Sequence, residues 1–515
     1  MKKIKEIDQI KMGAVLSYVI IFLNIIVSLF YTPILIRCLG QSEYGLYSLV
    51  SSIISYLTIL DLGFGNAIIL YTTKYRVNKQ EEAENKLHGM FFLIYIFIGI
   101  VAALLSLILY FNINKLFSNT ITYDELSKSK VLIIILTVNL ALSFPLSIFS
   151  SIITAYEKFV FSKLVNIIRI ILTPIIMIPL LLNGYKSIAL TIVVTILNIS
   201  SLLINLIYCI CKLNIKFNFG GFNFKLLREI SAFSIWIFLN IIIDKINWNI
   251  DQYILGAING TIAVSVYSIG SQINTLYLTF STAISSVLFP KTIKMEEENV
   301  SASEFTKIFI YVGRIQFIIL GIILTGFILF GKVFMKIWAG EEYINSYYVA
   351  CILMIPMTIP LIQSLGLNIL QAKNKNKFRT LVFLGISVLN ILISVPLAKK
   401  YSEIGCSIGT SIAVVLGQVI VLNFYYHKAI HINIILFWKR ILKTFISILL
   451  SFLVGIVYVC IFNINNIYIL ILGIFLYAVV YVCFIWIFEI DKNEKEKLKQ
   501  IFNKLHNEEK IDESY

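Results

Sequence analysis

"ILIRCLGQSEYGLYSLVSSI", residues 34–53, interrupts an apolar sequence with a short polar step from Arg37 to Glu43 and then resumes it. In a soluble protein such a step is a surface loop between half-buried elements. The flanks decide otherwise, because 12–36 before it and 45–70 after it are each apolar over more than twenty residues. About twenty apolar residues cross the roughly 30 Å hydrocarbon core of a bilayer as an α-helix. The polar step is therefore a turn at a membrane surface.

The rest of the chain agrees. Of its 515 residues, 59% are hydrophobic and 14% charged, whereas soluble domains are about 45–50% apolar and about 25% charged. The net charge of +15 suggests nucleic acid, but the Lys and Arg residues fall between apolar runs rather than on one domain face, which argues against it. Cys209 and Cys211 are too close together, and too far from other ligands, for a zinc site. All seven cysteines lie in or beside apolar segments and read as small hydrophobes. No small-residue cleavage site follows the first run, so it reads as a spanning helix rather than a removable signal.

Fourteen spans can be drawn: 12–36, 45–70, 89–111, 131–153, 164–183, 187–211, 231–250, 262–289, 308–331, 347–370, 380–398, 404–426, 441–462 and 467–488. The short separators carry turn formers: Asn183-Gly184, Ser402 before Gly405, and Asn463 with Asn465-Asn466. With the N-terminus placed in the cytoplasm, 31 of the 43 Lys and Arg residues fall on the inner side and 9 on the outer side. Three remain within spans: Arg169, Lys245 and Arg314. That asymmetry follows the positive-inside rule and puts both termini in the cytoplasm.

Residues 34–53 also open a repeat. Laid on "ILGAINGTIAVSVYSIGSQI" (254–273) at an offset of 220, Ile34, Leu35, Gly40, Tyr47, Ser48, Ser51 and Ile53 meet identical residues. At an offset of 217, "AYEKFVFSKLV" (155–165) lies on "AKNKNKFRTLV" (372–382), and Pro179 falls on Pro396. Both offsets move a segment by six spans, so the copies keep one orientation. That is a parallel repeat about an axis along the membrane normal. It predicts an N-terminal lobe over 1–211, a cytoplasmic linker over 212–230 and a C-terminal lobe over 231–427. Two further spans follow over 428–489, then a cytoplasmic tail over 490–515 that reads as a short, solvated, fraying helix.

Polar residues inside the spans gather on faces. In span 7, Asn240, Asp244, Asn247 and Asp251 recur at helical spacing, and span 5 offers Ser162, Asn166, Arg169 and Thr173. Span 6 contributes Asn198 and Asn205, and span 1 contributes Asn24, Ser28 and Tyr31. Such faces bond to neighbouring helices or line a wet cavity. Ionisable residues at this depth mark pathways or relays. Here they are Arg169, Lys245 and Arg314 against Asp61, Asp244 and Asp251, with mutual pairing between the lobes as the structural alternative.

"TPILIRCLGQSEYGLYSL" followed by "ILDLGFGNAI", and "DQYILG" (251–256) followed by "VYSIGSQI", resemble the polysaccharide-biosynthesis flippases, the Wzx-type oligosaccharide exporters. That family belongs to the superfamily that includes the multidrug and toxin extrusion (MATE) transporters and the lipid II flippases. The resemblance covers the chain from end to end. It implies an all-α, MATE-like membrane protein of about 14 helices, with two six-helix lobes forming a V around a central cavity. It also implies a polyprenyl-diphosphate-linked saccharide as cargo, flipped from the inner to the outer leaflet of the cytoplasmic membrane. Capsule or lipopolysaccharide assembly follows as the setting, with membrane lipid, a polysaccharide polymerase and chain-length machinery as partners.

For such a cargo Arg169, Arg314 and Lys245 would replace the water around the diphosphate. Asn24, Asn166, Asn198, Asn240 and Asn247 would serve the sugars. Asp61, Asp244 and Asp251 would act as hinge or as sites for a coupling H⁺ or Na⁺, with Asp61 leaning to the structural side. Membrane potential is a second energy source, worth about 4.6 kcal/mol per 100 mV for a doubly charged headgroup. No phosphate-binding GxxxxGK[ST] loop is present, which argues against ATP hydrolysis. No cofactor, metal site, nucleic-acid partner or enzymatic step is expected.

Two rivals remain. A MATE-like drug antiporter would favour an acidic cavity. A polymerase or glycosyltransferase would need a larger outer loop than 112–130, where Asp124-Glu125 reads as a solvated turn. His88, His427, His431 and His506 read as solvated residues at cytoplasmic edges.

Overall fold

The computed structural model describes residues 2–220, 224–373, 375–462 and 466–490. The tail from 491 onward and the separator residues Asn463 and Asn465 lie outside the described residues. Helices account for nearly everything else, and the described residues contain no strand.

Contacts divide the chain into two compact units. Unit 1 comprises 1–276, 338–353 and 377–417; unit 2 comprises 277–337, 354–376 and 418–515. The first 211 residues supply α1 (Lys2–Leu39), α2 (Gln41–Tyr56), α3 (Phe64–Val77), α4 (Glu81–Phe117), α5 (Tyr123–Ala155), α6 (Phe159–Leu182) and α7 (Ser187–Cys211). There follow α8 (Phe224–Ile258), α9 (Thr261–Glu297), α10 (Ala302–Trp338), α11 (Ile344–Ile362) and α12 (Ser364–Ala372). The last are α13 (Asn376–Val414), α14 (Leu422–Ala429), α15 (Ile434–Ile461) and α16 (Ile467–Phe488), with a π-helical stretch over 415–421.

Eleven segments among the described residues are long and apolar enough to cross a membrane. One of them, Lys377–Ala429, carries two of the expected spans and departs from helical geometry at Ser402 (φ 51°). α8 and α9 are 35 and 37 residues long but are not among the eleven. The count of fourteen needs both of them and that division. Large apolar side chains such as Phe97, Phe111, Leu392, Ile471 and Phe475 stand exposed, as expected where lipid is the solvent.

Both copies of the sequence repeat turn at a glycine of positive φ. Gly40 (φ 79°) separates α1 from α2, and Gly260 (φ 84°), 220 residues later, separates α8 from α9. Only glycine takes this left-handed conformation without steric cost. The starts of α6 and α13 are 217 residues apart, so Pro179 and Pro396 occupy the same position in each helix.

One expected span is broken. Residues 45–70 read as one apolar run, yet α2 stops at Tyr56, a 3₁₀ turn covers Leu57–Asp61, and α3 starts at Phe64. Leu62 (φ 53°) and Gly63 (φ 74°) are both left-handed at the break. Continuous hydrophobicity hides it, because the cause lies in how the ends are satisfied. Span 10 is likewise two helices, α11 and α12, meeting at Gln363.

Unit 1 has two apolar cores. Leu46, Leu49, Val50, Phe117, Leu132, Leu255 and Val264 form one, and Phe64, Phe91, Tyr95, Ile148, Phe149 and Ile152 the other. Gly45 lets α2 lie against Thr261, since a Cβ there would meet the Thr261 carbonyl oxygen at 1.9 Å. In unit 2, Phe330 of α10 shares a core with Ile448 of α15 and with Leu470, Tyr477, Tyr481 and Ile485 of α16.

Candidate functional site

Arg169 is the eleventh of the 24 residues of α6, placing a guanidinium near mid-span. Its Nη1 donates to Asn198 Oδ1 at 2.9 Å and its Nη2 to Asn166 Oδ1 at 3.0 Å. Asn198 Nδ2 in turn donates to Asn139 Oδ1 (2.8 Å) and Ser143 Oγ (2.9 Å) on α5. Among the described residues no carboxylate lies within 4 Å of the guanidinium. It is a cation solvated by neutral amides, with N–H donors left over that suit phosphate or carboxylate oxygens.

Asp251 is the inverse case. It lies on α8, 1% exposed, and its Oδ2 accepts from Thr410 Oγ1 at 2.6 Å and from the Tyr267 hydroxyl. Its Oδ1 faces Asn390 Nδ2 and Cys406 Sγ, each at 3.4 Å. Tyr56, whose buried hydroxyl has no hydrogen-bond partner among the described residues, is close enough to feel the carboxylate. No described Lys or Arg is within 4 Å. Two hydroxyls, an amide N–H and a thiol thus donate to one buried carboxylate, and an ionisable group held at this depth is a candidate for proton uptake.

The α8 polar face is met by α13. Thr380 Oγ1 donates to Asn240 at 3.3 Å and Ser387 Oγ to Asn247 at 2.9 Å, with Asn390 reaching Asp251 four residues on. The pairs advance together, so the two helices run parallel in step. Asp244 is exposed on the same helix, within electrostatic range of Arg379 and Lys245. Asn24 is exposed on α1 and donates to its own backbone at Ile20.

Asp61 closes the break in span 2. Its Oδ1 accepts from the Tyr95 hydroxyl at 2.8 Å, and the backbone N–H groups of Gly63 and Gly65 point at the same carboxylate. A carboxylate in that position satisfies the orphan amides that start α3.

Arg314 belongs to unit 2. It is 7% exposed on α10, and its Nη1 lies 3.3 Å from the backbone oxygen of Glu489, just past α16. The Glu489 carboxylate, 1% exposed, accepts from Thr444 at 2.9 Å and lies 3.7 Å from Arg440.

Two expectations need correction. His88 is buried rather than solvated, with Nε2 at 3.1 Å from Thr72 Oγ1, because α4 begins seven residues before it and carries it into the core. Glu125 is no simple solvated turn residue. Its carboxylate gathers Ser42 (2.5 Å), Thr261 (2.7 Å) and Thr122 (2.7 Å), tying the starts of α2, α5 and α9. Beside it, Lys128 bridges Glu43 and Asp124 at 2.6 Å each, and Ser187 donates to Glu43.

Sequence reading missed Asn139, Ser143, Tyr267, Asn390 and Thr410. A signal existed for two of them: Thr380, Ser387, Asn390 and Ser394 share a helix face on α13, and Tyr267 is the repeat counterpart of Tyr47.

A multi-span, all-helical membrane protein with a parallel internal repeat and charges held by polar side chains inside its spans has the fold class of secondary transporters. Solved structures agree on the fold. Lipid II flippase MurJ in an inward closed conformation superposes with a TM-score of 0.69 at 17% identity, covering 94% of this chain and 98% of that one. An inward-facing multidrug resistance MATE family transporter of the MOP superfamily gives 0.61 at 12% identity, over 76% of this chain and 93% of that one. The polysaccharide biosynthesis protein family model matches residues 10–296, more than half of the chain, and the chain belongs to that family. A Shigella flexneri protein described as "Putative O-antigen transporter" is 25% identical over 404 residues, 76% of this chain and 91% of that protein.

Proposed function

We propose that the chain is a flippase that carries a polyprenyl-diphosphate-linked oligosaccharide from the inner to the outer leaflet of the cytoplasmic membrane, by alternating access and without chemical conversion. The family, the O-antigen transporter relative and the MurJ-like fold support this reading. The observation that carries it is Arg169, a mid-span guanidinium with no carboxylate within 4 Å among the described residues. Replacing the hydration of a diphosphate needs a cation whose charge is not already neutralised, and Arg offers two parallel N–H donors to it. Asn166 and Asn198 hold that cation and stand where sugar hydroxyls need amide partners. A drug-cation antiporter of the same fold has no use for a free cation at this depth.

In this reading both termini are cytoplasmic, fourteen helices span the membrane, and the lobes are 1–211 and 231–427. Asp251 is the coupling site, taking H⁺ or Na⁺ as the polyprenyl cargo moves. The membrane potential adds about 2.3 kcal/mol per charge per 100 mV.

The test compares the inner-leaflet pool of polyprenyl-diphosphate saccharide in cells with and without the chain. The pool should rise on deletion and fall again with the wild-type chain, but not with Arg169→Ala at equal protein level. An unchanged pool on deletion, with no second flippase present, overturns the proposal. In proteoliposomes, Asp251→Asn should make flipping indifferent to an imposed H⁺ or Na⁺ gradient. A variant that still follows the gradient removes Asp251 from coupling.

A further inference from the structure

At the end of unit 1 where α3, α5 and α7 finish and α4 begins, the connecting segments line a half-open cavity of about 660 Å³. None of the residues discussed above lines it. Its wall is built from the sequence in a definite way. Arg76 Nη1 donates to the last carbonyl of α5, Ala155, at 2.7 Å, and its guanidinium stacks 4.0 Å over the Tyr156 ring. The Tyr156 hydroxyl donates to Glu84 Oε1 at 2.8 Å. Burial, and then the Glu84 carboxylate, push that hydroxyl above its ordinary range, so it remains a donor. The α7 side is fixed by Asn218, whose backbone N–H donates to the Asn85 carbonyl at 3.0 Å.

Into this cavity two connections bring lysines. Lys79 follows α3 and Lys216 follows α7; among the described residues neither ammonium has a hydrogen-bond or ion-pair partner. Lys79 has φ 55°, a left-handed conformation that costs an L-residue about 1–2 kcal/mol and that a glycine would take freely. Glu81 and Glu84 also line the cavity. Set against Arg76, Lys79 and Lys216, they leave it one positive charge in excess, and Tyr156 occupies the Glu84 carboxylate.

We propose that this cavity docks a phosphate-bearing lipid headgroup of the inner leaflet, with Lys79 and Lys216 on the phosphate oxygens and the Gln80 and Asn214 amides on headgroup hydroxyls. Basic pockets at the cytoplasmic ends of spans bind such headgroups by charge, and the volume lies in the range of small-ligand sites, about 300–1,000 Å³. The proposal rests on the cytoplasmic placement of this end given above. The headgroup chemistry is shared by two sources, an acidic phospholipid and the polyprenyl-diphosphate cargo itself.

The experiment is native mass spectrometry of the full chain from neutral detergent, with phosphatidylglycerol or a polyprenyl diphosphate added. A Lys79→Gln/Lys216→Gln double variant should bind one or both lipids about tenfold less than wild type. A double arginine variant should keep binding, and Lys115→Gln/Lys186→Gln, on other connections, should match wild type. Loss for phosphatidylglycerol alone identifies a phospholipid site, and loss for the diphosphate alone identifies a cargo-docking site. Equal binding of both lipids by wild type and the double glutamine variant, with unchanged melting temperature, overturns the proposal. Binding in detergent requires neither flipping nor sidedness. A chain that flips without lysine-dependent binding therefore refutes this site alone, and one that binds without flipping refutes the flippase reading alone.

Discussion

Arg169 and Arg314 look alike in sequence: each is an arginine inside a long apolar helix. Their surroundings differ in kind. Arg169 is held by the side-chain oxygens of Asn166 and Asn198, which carry no net charge. Arg314 is directed at the backbone oxygen of Glu489 at the C-terminal end of α16, where the helix presents unsatisfied carbonyls and partial negative charge. The first arrangement keeps a cation in place without satisfying it. The second uses a cation to fasten one helix to another. What surrounds a buried charge, more than its residue type, sets how far that charge is already met.

Exchanging function for stability is the sharpest way to break this comparison. Arg169→Ala should lower flipping about a hundredfold, on the scale of removing one partner from a buried charged contact, and should also lose about 1–3 kcal/mol of stability with its bonds to Asn166 and Asn198. Arg314→Ala should lower stability alone. It should lose about 2–3 kcal/mol of stability, the worth of a hydrogen bond to a charged group plus the exposure of its buried partner, and the folded fraction should flip normally. Melting curves beside flipping assays on the same preparations check both, and equal losses in both assays for both variants would erase the distinction. The smallest effect concerns a third buried charge. Asp61→Asn keeps the shape but weakens acceptance from Tyr95, Gly63 and Gly65, and should cost about 1 kcal/mol. Hydrogen exchange at Gly63 and Gly65 should quicken several-fold with little change in α2, and uniform quickening along 41–77 would speak against a local cap.

The sequence made the membrane class readable because apolar runs of twenty or more residues have no other solvent, and because lysines and arginines alternate between their ends. The repeat was readable at Gly40 and Gly260, where backbone conformation restricts the residue. Arg169 and Asp251 stood out since a charge in an apolar run is conspicuous. Their partners did not. Asn139, Ser143 and Thr410 lie on other helices, Asn390 belongs to a polar face of α13, and nothing local tells which helix any of them meets. The break at 57–63 was hidden for a related reason: Tyr95, 34 residues away from Asp61, helps to hold it. Glu489 gave no sign of its role, because its partners Thr444 and Arg440 are nearly fifty residues upstream.

The break has a mechanical consequence. A continuous α-helix transmits torque, so a twist at one end arrives at the other. Two left-handed residues in series, Leu62 and Gly63, interrupt the hydrogen-bond ladder that carries it. α2 and α3 are therefore two helices and not one continuous rod. α2 begins at the Glu125 knot, while α3 ends beside the Lys79 cavity, and rotation of one need not unwind the attachments of the other.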